Sequence, residues 1–255
     1  MTESILPIPW LESGDEVTPL PDPETALTEP NGLLAIGGSL SPARLEAAYR
    51  SGIFPWYSPG EPILWWSPDP RAILRPEQLH ISRSMRRALR RADYGISLDT
   101  AFDAVVRECA APRADQPGTW ITREMQAAYS RLHTAGLAHS IEVWRDDALI
   151  GGLYGVSIGR AFFGESMFSR AVNGSKIALI WLMRQIEAWG FDFLDCQLPT
   201  PHLESLGAVC IPRKRFLLAL AASQRQPTRL GPWHLDIQLD DVLSTSRLGD
   251  SQRLR

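Results

Sequence analysis

The stretch Phe191-Asp192-Phe193-Leu194-Asp195-Cys196-Gln197 reads as a buried strand, apolar and aromatic apart from its carboxylates. It follows a helix-patterned run over residues 175–190, whose apolar positions include Ile177, Ile180, Trp181 and Ile186. A strand that follows so long a crossover lies parallel to the strand before it. From residue 140 the period is two. Residues 140–145, 148–158 and 160–168 make three strands of a meander, with Asp146-Asp147 as its first turn. Gly151, Gly152 and Gly155 in the middle strand mark bulges or the close approach of another backbone.

Residues 1–31 read as extended loop. Asn31-Gly32 and Gly37-Gly38 are turns, and Ser41-Pro42 caps a short helix with Leu45, Ala48 and Tyr49 on one face and Gly52 at its end. In residues 53–70 aromatic rings alternate with prolines, which excludes a regular helix and leaves rigid loops and short strands. Trp65 and Trp66 read as core. Trp56, in a turn beside Gly60, is either core or a partly exposed ring that stacks on a base or ligand. Residues 81–93 form an amphipathic helix, and residues 100–110 a core-facing one. Thr122 caps another helix, closed by Gly136, with Met125, Ala128, Tyr129 and Leu132 inward. Trp120, just before that N-terminus, lies where backbone donors meet a phosphate or else packs in the core. Residues 212–222 are a last helix with a basic start, and residues 224–255 a peripheral tail. These elements describe an α+β fold of acyltransferase type.

At 255 residues with 44% hydrophobic content, the chain suits one large domain and a smaller one. No apolar run is long enough to span a membrane, and residues 1–30 lack the pattern of a signal sequence. Three scattered cysteines, Cys109, Cys196 and Cys210, suit a reducing compartment, so a cytoplasmic protein is expected. The net charge of −3 hides an asymmetry. Residues 1–30 hold seven acidic side chains and no Lys or Arg, whereas residues 71–91 hold seven arginines against Glu77 alone. On the helix, Arg83, Arg86, Arg87, Arg90 and Arg91 fall within an arc of roughly 140°. Such a stripe is either a solvated face or a surface for nucleic-acid phosphates.

The carboxylates carry the chemistry. Asp195 and Gln197 share one strand face, Cys196 points away from them, and Glu165 sits in the neighbouring apolar run Gly164-Glu165-Ser166-Met167-Phe168-Ser169. An unpaired carboxylate there would cost several kcal/mol, of order. Two carboxylates and a carboxamide suit an amine acceptor, binding it and helping to remove its proton as it attacks a carbonyl. The alternative is a buried ion pair with Arg160, Lys176 or Arg184. Cys196 has no histidine or lysine beside it in sequence to activate it, and the five histidines lack metal-ligand spacing, so neither a thiol nucleophile nor a metal is expected. Acyltransferases of this type that use coenzyme A carry a [QR]-x-x-G-x-[GA] loop. The matching stretch here, Arg170-Ala171-Val172-Asn173-Gly174-Ser175, has Asn173 and Ser175 at the small-residue positions, which argues against that cofactor. An RNA-delivered acyl group would use aromatic platforms and a basic stripe instead. An RNA-binding module without catalysis is the reading from another class.

Seven motifs in order across residues 27–220 carry a resemblance. They are Glu29-Pro30-Asn31-Gly32-Leu33-Leu34-Ala35-Ile36-Gly37-Gly38, Gly52-Ile53-Phe54-Pro55-Trp56, Trp65-Trp66-Ser67-Pro68-Asp69-Pro70-Arg71, Gly118-Thr119-Trp120-Ile121-Thr122, His139-Ser140-Ile141-Glu142-Val143-Trp144, residues 164–169 and Asp195-Cys196-Gln197. Together they resemble the bacterial leucyl/phenylalanyl-tRNA–protein transferases. The resemblance implies a small N-terminal α/β domain (1–70), a GNAT-like catalytic domain (71–223) and a tail (224–255). It implies transfer of Leu or Phe from aminoacyl-tRNA to proteins with N-terminal Arg or Lys, which marks them for degradation under the N-end rule, with no cofactor, no membrane and a monomeric enzyme. It places Glu165, Asp195 and Gln197 at the reaction centre and Trp56 and Trp120 against the donor's terminal adenosine. Leu153, Phe162, Met167, Leu182, Ile186 and Leu194 would line the aminoacyl side-chain pocket. Leu182 and Ile186 stand where better-known members have phenylalanine. Strict alternation sets Phe162 opposite Glu165, so a strand bulge is required if both line one cavity.

Overall fold

Glycine and proline punctuation divides the chain between two sheets. The computed structural model describes residues 8–14, 18–112 and 119–244. The remainder of the expected N-terminal loop, the loop before Thr119 and the end of the tail lie outside the described residues. Strands β1 (Trp10–Leu11), β2 (Leu33–Gly37), β3 (Phe54–Pro55) and β4 (Leu64–Trp66) form a four-stranded sheet in the order β1-β2-β4-β3. The N-terminal segment is therefore not loop throughout: β1 runs parallel to β2, and Pro23–Thr25 makes a 3-10 turn.

The larger sheet holds β5 (Arg71–Leu74), β6 (Gly95–Leu98), β7 (Ala138–Arg145), β8 (Ala148–Ile158), β9 (Ala161–Ser169), β10 (Phe193–Gln197) and β11 (Val209–Ile211). Their order is β11-β5-β10-β9-β8-β7-β6. Strands β7, β8 and β9 form the expected antiparallel meander, and Asp146 and Asp147, at φ 48° and 60°, make its tight turn. Helix α5 (Gly174–Ala188) crosses over and returns the chain so that β10 pairs with β9 in parallel. This is an α+β arrangement, as the sequence leads one to expect. Strands β5, β6 and β11 were not foreseen: each has three or four residues and too little alternation to register against its flanks.

Alternating side chains of the large sheet enter two apolar clusters. Phe163 and Phe193 join one with Trp65 and the inner faces of α1 (Pro42–Arg50), α3 (Phe102–Ala110), α4 (Arg123–Thr134) and α7 (Arg213–Ser223). Phe162 and Leu194 join the other with α2 (Arg83–Arg91), α5 and α8 (Leu239–Leu243). The remaining helix, α6 (Pro201–Glu204), follows β10. The caps expected at Ser41 and Thr122 are present, each side chain accepting from a backbone N–H three residues on.

One expectation changes in the fold and another is met. The described part of the tail is not peripheral, since Trp233, Ile237 and Val242 are buried in the second cluster. The bulge required in β9 exists at Glu165: Gly155 pairs with Gly164 and Tyr154 with Ser166, leaving Glu165 as the extra residue. Its effect is to bring Met167 to the cluster of Phe162, while Glu165 stays against Tyr129 of the first cluster.

Gly155 makes the close approach anticipated for β8. A Cβ there would lie 2.1 Å from the Phe163 carbonyl oxygen and 2.5 Å from Cε1 of Phe162. Gly155→Ala is expected to destabilise the protein by about 1–3 kcal/mol, the usual range for overpacking. Urea denaturation should show a lower midpoint with an unchanged slope, and an unshifted midpoint would contradict the packing described.

Candidate active site

The site is built where β10 ends beside the bulge of β9. Asp195 is fully buried, and so is its partner: the Arg71 guanidinium, at the start of β5, donates Nε to Oδ1 at 2.9 Å and Nη2 to Oδ2 at 2.6 Å. The buried ion pair considered for this carboxylate is thus real, but its cation is Arg71. Arg184 pairs instead with Glu187 and donates to the Ser244 carbonyl, and Arg160 is exposed. A two-pronged guanidinium satisfies both carboxylate oxygens, which is what a charge at this depth requires.

The pairing of β10 with β5 slips between Asp195 and Gln197, and Gln197 adopts φ 64°. Its backbone N–H donates to Asp195 Oδ1 at 2.9 Å, and its side-chain amide donates to Glu165 Oε1 at 2.9 Å. Glu165 Oε2 accepts from the Tyr129 hydroxyl at 2.6 Å, and that hydroxyl lies 2.6 Å from Tyr49. Arg71, Asp195, Gln197, Glu165, Tyr129 and Tyr49 therefore form one continuous chain of contacts. The expected trio is brought together. Arg71 and the two tyrosines were not anticipated as members, although tyrosines on the inward faces of α1 and α4 each need a partner for a buried hydroxyl.

Burial pushes the Glu165 carboxyl up to about 7 against hydrogen bonds from Tyr129 and Tyr49 that lower it, while the Asp195 charge raises it and Arg71 lowers it. Tyr129 and Tyr49 are both held well above the ordinary tyrosine range, first by burial and then by the charge of Glu165. Cys196 packs toward the other cluster, and burial followed by the charge of Asp195 pushes its thiol far up, so it is no thiolate nucleophile.

Trp56 is 41% exposed, packed at 5.7 Å against Trp66, whose indole N–H donates to the Trp56 carbonyl. Trp65 is fully buried. Trp120 is half-buried at the approach to α4. The neighbours of these two rings are tied together: the Tyr57 hydroxyl reaches Glu124 of α4 at 3.4 Å. Leu153, Phe162, Leu182, Ile186 and Leu194 are buried in the second cluster and Met167 packs on it, so the six gather in one place. The arginine stripe is narrower than expected. Arg86 donates to the Leu243 carbonyl and Arg91 pairs with Asp93, which leaves Arg83, Arg87 and Arg90 exposed and without an ion pair to any described residue.

Comparison with known proteins bears on this site. The family model described as leucyl/phenylalanyl-tRNA protein transferase matches residues 73–221, and that of the corresponding N-terminal domain matches residues 38–69. The chain belongs to the leucyl/phenylalanyl-tRNA protein transferase family. Relatives bearing that name include one from Alkalilimnicola ehrlichii, 56% identical over 91% of both chains. Another, from Hahella chejuensis, is 57% identical over 90% of this chain and 97% of its own. A third, from Nitrosomonas europaea, is 58% identical over 86% and 93%. Among solved structures, L-PGS from Bacillus licheniformis aligns with a TM-score of 0.37 at 12% identity, over 66% of this chain and 54% of its own. A GCN5-related N-acetyltransferase from Kribbella flavida aligns at 0.35 and 11%, over 66% and 59%. This is a family of enzymes that act with aminoacyl-tRNA and protein substrates. Among the described residues no helix is long and apolar enough to cross a membrane.

The raised Glu165 sets a sign for stability against pH. A carboxyl that holds its proton more tightly when folded makes the protein lose stability as pH rises from about 4.5 to about 7, with the loss complete above that. Its size is on the order of 3 kcal/mol. Relative to Glu165→Gln, the parent protein should therefore lose stability between pH 5 and pH 8 in denaturant titrations. A constant difference between the two proteins would remove Glu165 as the titrating group.

Proposed function

We propose that this chain transfers the leucyl or phenylalanyl group of an aminoacyl-tRNA to the α-amino group of proteins with N-terminal Arg or Lys, marking them for degradation. It works as a monomer in the cytoplasm. The observation that carries the reading is Glu165, a carboxyl lifted to about 7 and hydrogen-bonded through Gln197 to a frame held by Asp195 and Arg71. Such a group changes protonation near neutral pH, as accepting a proton from an amine requires.

In this mechanism the aminoacyl ester is already activated, so no covalent enzyme intermediate is needed. The acceptor's α-amine attacks the ester carbonyl carbon, the new amide bond forms, and the bond from that carbon to the ribose oxygen of the tRNA breaks. The Gln197 amide N–H is committed to Glu165, which leaves its carbonyl oxygen to accept from the amine and orient it. Glu165 takes the amine's proton and returns it to the departing ribose oxygen. Asp195 is fully buried and its charge faces the Arg71 guanidinium, so its role is to hold Gln197 in place rather than to bind the cationic acceptor. Trp56 and Trp120 stack on the terminal adenosine, and Leu153, Phe162, Met167, Leu182, Ile186 and Leu194 receive the aminoacyl side chain. Arg83, Arg87 and Arg90 meet tRNA phosphates; Arg86, tied to the Leu243 carbonyl, and Arg91, paired with Asp93 at the surface, add charge to the same face.

Incubation with leucyl- or phenylalanyl-tRNA and peptides beginning Arg, Lys or Ala tests this directly. Arg and Lys peptides should gain Leu or Phe, the Ala peptide should not, and Glu165→Gln should lower kcat/KM by about 100-fold or more. No transfer to Arg or Lys peptides would sink the activity, and an undiminished Glu165→Gln enzyme would sink the role given to Glu165.

A further inference from the structure

The tail after α7 lies beyond the residues matched by the family models, yet it carries one of the largest fully buried side chains of the described molecule. Trp233 is 1% exposed and held at every edge. Its backbone N–H donates to Asp99 Oδ2 at 2.7 Å, and its indole N–H donates to the Arg229 carbonyl at 3.1 Å. His139, itself 2.8 Å from the Asp99 carboxylate, stacks on the indole with centroids 3.6 Å apart and planes 4° from parallel. Trp189 and Phe191 meet it edge-on at 4.9 and 5.9 Å. Among the described residues the remaining ring contact is with Phe162, at 5.7 Å.

Phe162 has little freedom elsewhere. Its ring fills the space that a side chain at position 155 would need, with Cε1 and Cζ 2.5 and 2.8 Å from where a Cβ of that residue would stand. Backbone at Gly155 and the indole of Trp233 therefore fix where the ring rests. Leu153, Met167, Leu182, Ile186 and Leu194 belong to the same cluster. Interiors are packed to crystal-like density, so removing the indole beside Phe162 frees that ring to shift and enlarges the space among its neighbours.

We infer that Trp233 is a positioning residue for donor selection: the tail's indole sets the depth of the aminoacyl side-chain pocket by backing Phe162. This rests on the proposed function and on the placement of Phe162 in that pocket. The consequence is a preference between leucyl and phenylalanyl donors that depends on a residue outside the catalytic domain's matched sequence.

The test is the ratio of kcat/KM for phenylalanyl-tRNA to that for leucyl-tRNA, with one Arg-initiated peptide as acceptor. A ratio measured on one preparation is independent of how much of it is folded. Trp233→Leu should raise the ratio about tenfold, the scale of discrimination that a small change in an apolar pocket gives. Trp233→Phe should move it in the same direction by less, and serves if the leucine variant does not fold. In a Phe162→Leu background, Trp233→Leu should leave the ratio unchanged, because the two act through one contact. An unchanged ratio in a parent background that transfers well would overturn this inference alone, as would an equal shift in both backgrounds. Failure of the unaltered protein to transfer either donor would overturn the proposed function first.

Discussion

The buried pair of Arg71 and Asp195 is the constraint on which the rest of the structure depends. Arg71 opens β5 directly after the small sheet, and its guanidinium lies 4.8 Å from the ring of Phe54 in β3 and 4.6 Å from that of Phe216 in α7. The same group grips the carboxylate of β10. One cation thus joins the small sheet, the large sheet and the last long helix at a point without solvent. Breaking such a pair by removing one partner costs about 3–5 kcal/mol, because the other charge is left stranded. Its buried position also explains why Gln197 tolerates a left-handed backbone: its N–H is held by Asp195 Oδ1.

From this frame the positioning of side chains is passed outward by hydrogen bonds rather than by exposure of the charge itself. Asp195 is neutralised in place, Gln197 is oriented by it, and Glu165 is oriented by Gln197 on one side and Tyr129 on the other. The two carboxylates, equivalent in sequence as acids within apolar strands, are separated by environment. The one with a guanidinium serves as scaffold, and the one with neutral partners and a raised affinity for its proton carries the proposed proton transfer.

Much of this was legible in the sequence where patterns are long. The meander, the α5 crossover and the parallel β10 followed from period and helix length, and Glu165, Asp195 and Gln197 from the oddity of polar groups in apolar strands. What escaped reading was short or distant. Strand β5 has four residues, all buried, and its Arg71 looked like part of a basic run because nothing local marks a partner 124 positions away. The arginine stripe looked uniform, whereas Arg86 is claimed by the carbonyl of Leu243 at the end of α8. The tail's apolar residues are too sparse to mark it as core, yet Trp233 fills a gap that four other aromatic rings define.

The central claim is that Asp195 acts only through its pairing with Arg71 and through the Gln197 that it holds. A double-mutant cycle on transfer rate tests it most directly, using Arg71→Gln, Asp195→Asn and the two together, each confirmed folded. The prediction is strong non-additivity, with the double variant no slower than the slower single one. Rate losses that multiply would show Asp195 acting independently of Arg71 and would contradict the account.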